Sequence, residues 1–379
     1  MSLDINTIVN ILIGSFFAIL FVLFTYQTTR KHRSAPYLLS SIFFGVLGAI
    51  LALVDSADLL PNFTTFDRIY LILELTFYGL QFFFFFLFVQ DISRIRPQLW
   101  SLILMVAFLI IQNMSLWLMV WFSSFSVTAV NNLWLFADIG YNNLAIFAFW
   151  IIGIPTYYRL YDYTKEKKAL GFIIGLILVG GGYVVGSLID YIGFFGTVPN
   201  WLNEISILGE IFPLVGLLIF LLTYILDVDY IYRLPHDHYM LMVTYKSGVA
   251  IHTVKFDTKR KVQIEENLFS GFISSLTFVF DNILQSISPI EIISSKDASI
   301  LLRSGEKILV IILTQQPTSI LTRALDRYIR RFEDKFRDEL KRESTEVGKF
   351  QEAEELIKPI FPFLKIKENS EKKPTREIQ

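Results

Sequence analysis

Seven polar side chains interrupt apolar stretches of this sequence, and their chemistry suits recognition of a cation or uptake of a proton. Five are carboxylates, and the other two are an amide and a phenol. In chain order they are Asp55, Glu74, Asn113, Asp138, Tyr141, Asp190 and Glu210. A charged side chain at the centre of a bilayer costs roughly 2.5–3.5 kcal/mol on insertion scales, so carboxylates retained in membrane helices indicate function.

The elements that position these side chains are apolar segments of membrane-spanning length, since a spanning helix needs about 20 largely apolar residues. Seven segments qualify: 6–29, 36–57, 67–90, 98–122, 132–157, 169–194 and 205–226. Helices are required because backbone polar groups cannot stay unpaired in lipid. The sequence therefore predicts an all-α bundle of seven transmembrane helices over residues 1–230.

The orientation of the bundle follows from the basic residues of its loops, because Lys and Arg are retained on the cytoplasmic side. The first, third and fifth loops contain nine Lys and Arg, whereas the alternate loops contain only Arg68. We therefore expect an N-terminus outside the cell and a cytoplasmic C-terminus. On this topology the five carboxylates fall in the outer half of the bundle and predict an acidic, water-accessible pocket for a cationic ligand. The alternative is that each is hydrated at the interface.

The rest of the chain has the composition of a water-soluble domain, with 24 of the 34 Lys and Arg and 21 of the 35 Asp and Glu after residue 230. After a juxtamembrane linker at 231–238, strand-like and helical patterns follow in the order ββαβββα(α) over residues 239–357. This order predicts a small α+β domain with a five-stranded antiparallel sheet. Its first helix has five apolar side chains at helical spacing, Leu268, Phe272, Leu276, Val279 and Ile283. Residues 358–379 are expected to form a disordered tail.

The second, long helix of this domain has a basic face. Arg327, Arg330, Arg331 and Lys335 compose it and suit an acidic protein or an anionic lipid. The alternative is a solvated face without a partner.

Several function classes are disfavoured. The chain has no cysteine, which excludes disulfides and thiolate metal sites. Its net charge of −1 argues against a nucleic acid partner. It has no G-x-x-x-x-G-K-[ST] loop and no kinase nucleotide loop. We expect no enzymatic activity, no cofactor and no metal.

Two resemblances add to this interpretation. The helix count and topology of residues 1–230 resemble the seven-transmembrane sensor region of prokaryotic histidine kinases, without the kinase core. The strand-helix order of the C-terminal part, with Ser247-Gly248-Val249-Ala250-Ile251 at its hairpin and Ser270-Gly271-Phe272-Ile273 in its first helix, resembles archaeal longin-like domains of the roadblock/longin superfamily. That resemblance implies an interaction platform that dimerises and binds small GTPases.

The expected function is therefore a membrane sensor or platform. The bundle would anchor the chain in the lipid bilayer or receive an outside cue, and the cytoplasmic domain would recruit a protein partner such as a small GTPase, with homodimerisation as a further expectation. The alternative is a transporter that couples to cations or protons through the carboxylates of the outer half.

Overall fold

The chain folds into two compact units, Met1–Ile231 and Tyr232–Gln379. The structure is a computed structural model that describes residues 5–31, 35–56, 64–122, 127–195, 199–226, 233–258, 265–283, 290–295 and 297–364. The first unit is helical, and the second is built on an antiparallel sheet.

The helical unit contains α1 (Ile5–Lys31), α2 (Pro36–Ser56), α3 (Thr64–Ser93), α4 (Leu99–Phe122), α5 (Val127–Ile146), a π-helical segment (Phe147–Gly153), α6 (Ile154–Thr164), α7 (Lys167–Phe195) and α8 (Asn200–Leu226). Within the described residues, five helical stretches are long and apolar enough to cross a membrane: Pro36–Val54, Ile69–Ser93, Leu99–Phe122, Ala129–Thr164 and Lys167–Gly193. The chain is therefore a membrane-embedded, multi-pass protein. Shorter apolar stretches lie in α1 (Ile11–Tyr26) and α8 (Ile211–Thr223), and the expected count of seven stays a prediction.

Glycines allow α7 and α8 to approach closely. A Cβ added to Gly182 would lie 2.6 Å from Cγ of Pro213 and 2.8 Å from the carbonyl oxygen of Gly209. One added to Gly216 would lie 2.7 Å from the carbonyl oxygen of Gly175. Because lipid supplies no hydrophobic force between helices, such contacts between small residues are what hold two membrane helices together.

The fifth apolar stretch is interrupted by the π-helical segment. Its bonding is visible where the N–H of Ile154 donates to the carbonyl of Phe149, five residues back. Pro155 follows at once, lacks an N–H, and its ring would clash with the carbonyl of Ile151 in a regular α-helix. The wider π turn accommodates this clash, and the helix continues as α6 where the sequence predicted an end near residue 157.

The second unit has β1 (His238–Tyr245), β2 (Ala250–Lys255), α9 (Glu266–Ile283), β3 (Ile292–Ser294), β4 (Ser299–Ser304), β5 (Ile308–Thr314), α10 (Ser319–Lys335), α11 (Arg337–Lys341), a 3₁₀ helix (Val347–Ala353) and α12 (Glu354–Ile360). The sheet order is β2-β1-β5-β4-β3, and every neighbouring pair is antiparallel. A C-terminal antiparallel sheet domain is thus present, as the sequence predicted.

The central strands β1 and β5 are buried on both faces. Met240 and Met242 belong to one cluster with Ile273 of α9 and Ile311 of β5. The alternate residues of β1 point to the opposite face, where His252, the cross-strand partner of Val243, lies with its ring 6.4 Å from that of Phe332 of α10. This arrangement explains why both strands are apolar at successive positions and not only at alternate ones.

The core of the second unit reaches past residue 357, where the sequence suggested that a disordered tail begins. Ile360 and Phe361 are 4% and 0% exposed, and the ring of Phe361 lies 5.7 Å from that of Tyr328. Residues 365–379 lie outside the described part of the chain.

Candidate functional site

A carboxylate and three tyrosines from three helices gather inside the helical unit. Glu74 of α3 is half-buried and acts electrostatically on Tyr78, one turn further along the same helix, and on Tyr141 of α5. A hydrogen bond joins the hydroxyl of Tyr141 to that of Tyr183 of α7. We call Glu74, Tyr78, Tyr141 and Tyr183 the tyrosine cluster.

Aromatic rings fix the geometry of the tyrosine cluster. The ring of Phe82, which is 1% exposed, lies 5.3 Å from that of Tyr141 and 5.1 Å from that of Tyr183. The ring of Tyr78 packs directly against Gly48 of α2. A Cβ added to this glycine would lie 2.9 Å from the ring. A carboxylate beside phenol hydroxyls and ring faces can hold an amine cation by ion pairing and cation–π attraction, or can take up a proton.

Two amides of α4 hold the neighbouring turn of α3 in place. The side-chain oxygen of Asn113 accepts a hydrogen bond of 2.7 Å from Thr76, and its nitrogen donates to the carbonyl of Leu109 at 2.9 Å. Gln112 donates to the carbonyl of Leu75 at 2.6 Å. These bonds contact the two residues that follow Glu74, so α4 fixes the backbone from which the Glu74 carboxylate projects.

The structure brings together part of the predicted pocket. Glu74 and Tyr141 belong to the tyrosine cluster, and the half-buried Asp138 lies one turn before Tyr141 on α5. Asn113 joins α4 to α3 through its hydrogen bond with Thr76. The remaining three predicted residues lie in α2, α7 and α8, and their side chains fall outside the described part of the structure: Asp55, Asp190 and Glu210.

Sequence reasoning missed the other members of this site. Tyr78 was detectable, because it is four residues from Glu74 and therefore on the same helix face. Tyr183 and Gln112 had no such signal, since only the packing of α7 and α4 places them near α3. Among the described residues, no group of three or more His, Asp or Glu side chains is placed to hold a metal ion.

In the sheet domain, α10 has a row of arginines at a spacing of four residues, namely Arg323, Arg327 and Arg331. Burial lowers the pKa of Arg327, and the positive charges of Arg323 and Arg331 lower it further. We call these three residues the arginine row. The three guanidinium groups together make this side of α10 electrically positive. Arg323 was missed, although the four-residue spacing is visible in the sequence.

The other two basic residues of α10, Arg330 and Lys335, lie outside the row. Arg330 is exposed. Lys335 is within 3.1 Å of carboxylate oxygens of both Glu352 and Glu355, so it ties α10 to the following helices. Hydrogen bonding to Glu355 is the main cause that raises the pKa of Lys335. Lys335 is thus engaged within the domain.

Comparison with models of known protein families, with curated proteins and with solved structures finds no match to this chain. The features that bear on function are therefore the tyrosine cluster, the arginine row and the membrane segments.

Proposed function

We propose that this chain is a membrane sensor or platform. A bundle of seven transmembrane helices anchors it and receives a cue from outside, and a cytoplasmic longin-like domain recruits a protein partner such as a small GTPase. In this arrangement α1 and α8 cross the membrane together with the five longer apolar stretches.

The orientation is supported by the loops. Nine Lys and Arg in alternate loops against one in the others favour an outside N-terminus and a cytoplasmic sheet domain. The tyrosine cluster then lies in the outer half of the bundle, where a cationic ligand or a proton arriving from outside reaches Glu74.

The observation that carries the recruitment proposal is the arginine row. It lies on a helix of a domain with its own core, in a chain that stays in the membrane. Aligned arginines favour an acidic protein surface, because guanidinium groups pair with carboxylates in a bidentate manner. The order ββαβββα and the sheet order β2-β1-β5-β4-β3 support the longin-like assignment, and domains of that kind bind small GTPases.

The test is capture of partners by the full chain from membranes of its native cells, scored for small GTPases loaded with GDP or with a GTP analogue. The variant Arg323→Gln/Arg331→Gln removes two charges of the row. The matched control is Lys341→Gln/Lys349→Gln, which removes two exposed charges elsewhere on the domain. We expect capture in one nucleotide state, lost in the row variant and kept in the control. Equal capture by both variants, or none by the natural chain, would refute recruitment through this row.

The second candidate function is a cation- or proton-coupled transporter, which the half-buried Glu74 beside tyrosine hydroxyls favours. Reconstituted chain in liposomes would then show proton or cation uptake that Glu74→Gln abolishes. If the chain captures a partner but shows no uptake, the result supports the membrane platform. If it shows uptake but captures no partner, the result supports the transporter.

A further inference from the structure

Helix α9 of the sheet domain is amphipathic, but it exposes its more apolar side. Towards the sheet it places Ser270, which is 2% exposed, and Ile273, which is 0% exposed. Its other sides expose large apolar side chains: Leu268 (68%), Phe272 (59%), Phe278 (69%) and Val279 (47%). Of these, Phe278 also borders a cavity beside Leu302 and Leu309 of the sheet. The helix therefore directs more apolar bulk to the outside than to the core of its own domain.

The exposed apolar side chains share one side of the helix, with the exposed Gly271 and Ser275 between them. Leu268, Phe272 and Val279 follow the spacing i, i+4, i+11 and so share one side of the helix, with Phe278 beside them. We call these four residues the outer face of α9. The sequence has no Asp, Glu, Lys or Arg from Asn267 to Phe280, so no charge interrupts the outer face. Exposed apolar side chains gathered on one side of a helix are typical of an interaction site.

The length of chain between the two units points to the lipid surface as the occupant. Helix α8 ends at Leu226, and β1 begins at His238. The intervening residues, at ~3.6 Å each when fully extended, span at most about 40 Å. The sheet domain is thus held close to the bilayer in which the helical unit is embedded, and the effective concentration of that surface is high. Any other protein has to arrive by diffusion.

The chemistry of the outer face also fits lipid. Leucine and phenylalanine on an uncharged helix face are the side chains that enter the boundary between headgroups and acyl chains. At the start of α9, the exposed Lys255 forms an ion pair of 2.9 Å with Glu266. The negative charge of Glu266 is therefore balanced. The C-terminal segment of this chain is an unsuitable cover, because eight of its last fifteen residues are charged.

We infer that α9 lies in the plane of the membrane and buries its outer face at the lipid interface, so that the bilayer itself is the partner of this helix. The inference depends on the embedding of the chain in a membrane and not on the recruitment of a GTPase. It implies that the sheet domain has a fixed orientation on the membrane, with α9 towards the lipid.

The absence of cysteine allows a direct test in the full chain. Single cysteines at Phe272→Cys on the outer face and at Asp334→Cys, an exposed control on α10, receive a polarity-sensitive fluorophore. Each labelled chain is placed in nanodiscs that contain one copy, with lipids brominated in the upper acyl chain. We expect blue-shifted emission and loss of intensity by bromine quenching at position 272, and emission typical of water without quenching at position 334.

A second variant separates lipid contact from other causes. With the fluorophore at Val279→Cys, the added substitutions Leu268→Ser and Phe278→Ser should release the helix, which shifts the emission to the red and removes the quenching. Leu268 and Phe278 are 68% and 69% exposed, so these substitutions remove little of the packing of the folded domain, and hydrogen exchange of the β1 amides checks that the fold is kept. Water-like emission at 272 in single-copy nanodiscs would overturn the inference. A blue shift that appears only when two copies share a nanodisc would overturn it too and assign the outer face to a second copy.

Discussion

We predict that the free energy of unfolding of the sheet domain decreases as the pH falls below 6.5, because two of its histidines are buried. Burial lowers the pKa of His238 from 6.5 to about 3, with a smaller contribution from His236, and burial lowers the pKa of His252 to about 4. Both side chains are nearly inaccessible, at 5% and 6% exposure. His238 contacts the hydroxyl of Thr314 through Nδ1 at 2.9 Å, and neither Nε2 atom has a hydrogen-bond partner among the residues that the structure describes.

The magnitude follows from linkage. In the unfolded chain each histidine binds a proton near pH 6.5, whereas in the folded domain each stays neutral until the pH approaches its lowered pKa. The unfolded state therefore binds more protons between these values, so the stabilisation is complete above pH 6.5 and is lost as the pH falls. At 1.36 kcal/mol per pH unit, each histidine costs about 2 kcal/mol at pH 5, or about 4 kcal/mol for the pair. That is a large part of the ~5–15 kcal/mol stability of an ordinary domain.

The assay is hydrogen exchange of the β1 and β2 amides in the full chain between pH 7 and pH 5, corrected for the intrinsic pH dependence of exchange. Its opening free energies report the sheet domain separately from the helical unit. His252→Gln should reduce the loss of opening free energy at pH 5 from about 4 to about 2 kcal/mol, because one of the two titrating groups is gone. His238→Asn should do the same. Equal losses in the natural chain and in both variants would refute the reasoning, whatever the absolute stability of the variants.

Three further predictions concern other elements. Gly182→Ala should lower the melting temperature of the full chain, because the new Cβ meets Pro213, with a cost of about 1–3 kcal/mol. At Gly186 an added Cβ would have no described atom within 4 Å apart from its chain neighbours and the backbone of its own helix, so Gly186→Ala should leave the melting temperature unchanged or raised. Thr318→Ala should destabilise α10 by about 1 kcal/mol in hydrogen exchange, because its side chain accepts the N–H of Leu321 and caps the helix. Glu74→Gln should abolish any rise in melting temperature that an added amine or divalent cation causes, and an unchanged rise would exclude the tyrosine cluster as the cation site.

The sequence predicted elements well where a single local pattern decides them. Apolar runs located the five helical stretches that are long enough to cross a membrane, and the turn residues around Gly248, with its φ of +95°, located the β1–β2 hairpin. The glycine is needed there because a side chain rarely adopts that conformation. Helix α9 contains all five residues whose spacing predicted it.

Side-chain orientation was harder to predict, because it depends on the packing of distant elements. In α9 the apolar residues at helical spacing include Leu268, Phe272 and Val279, which prove exposed, while the sheet contacts Ile273. A spacing rule identifies the most apolar side of a helix and assumes that this side faces the core. The tyrosine cluster shows the same limit, since Glu74 and Tyr141 were identified in the sequence but the place of Tyr183 depends on how α3, α5 and α7 pack.

The π-helical segment also sets the rotational phase of α5 relative to α6. A π turn pairs each N–H with the carbonyl five residues back, so it inserts one residue into the helical register, which at 3.6 residues per turn is an offset of about 100° about the axis. Pro155 maintains this offset by blocking the return to α-helical bonding at Ile151. Pro155 thus helps to set the direction in which Asp138 and Tyr141 project into the bundle. It does so from several turns away and contributes no functional group to the site. Replacing Pro155 by alanine would allow α-helical hydrogen bonding through this segment, and α5 would then rotate about its own axis relative to α6.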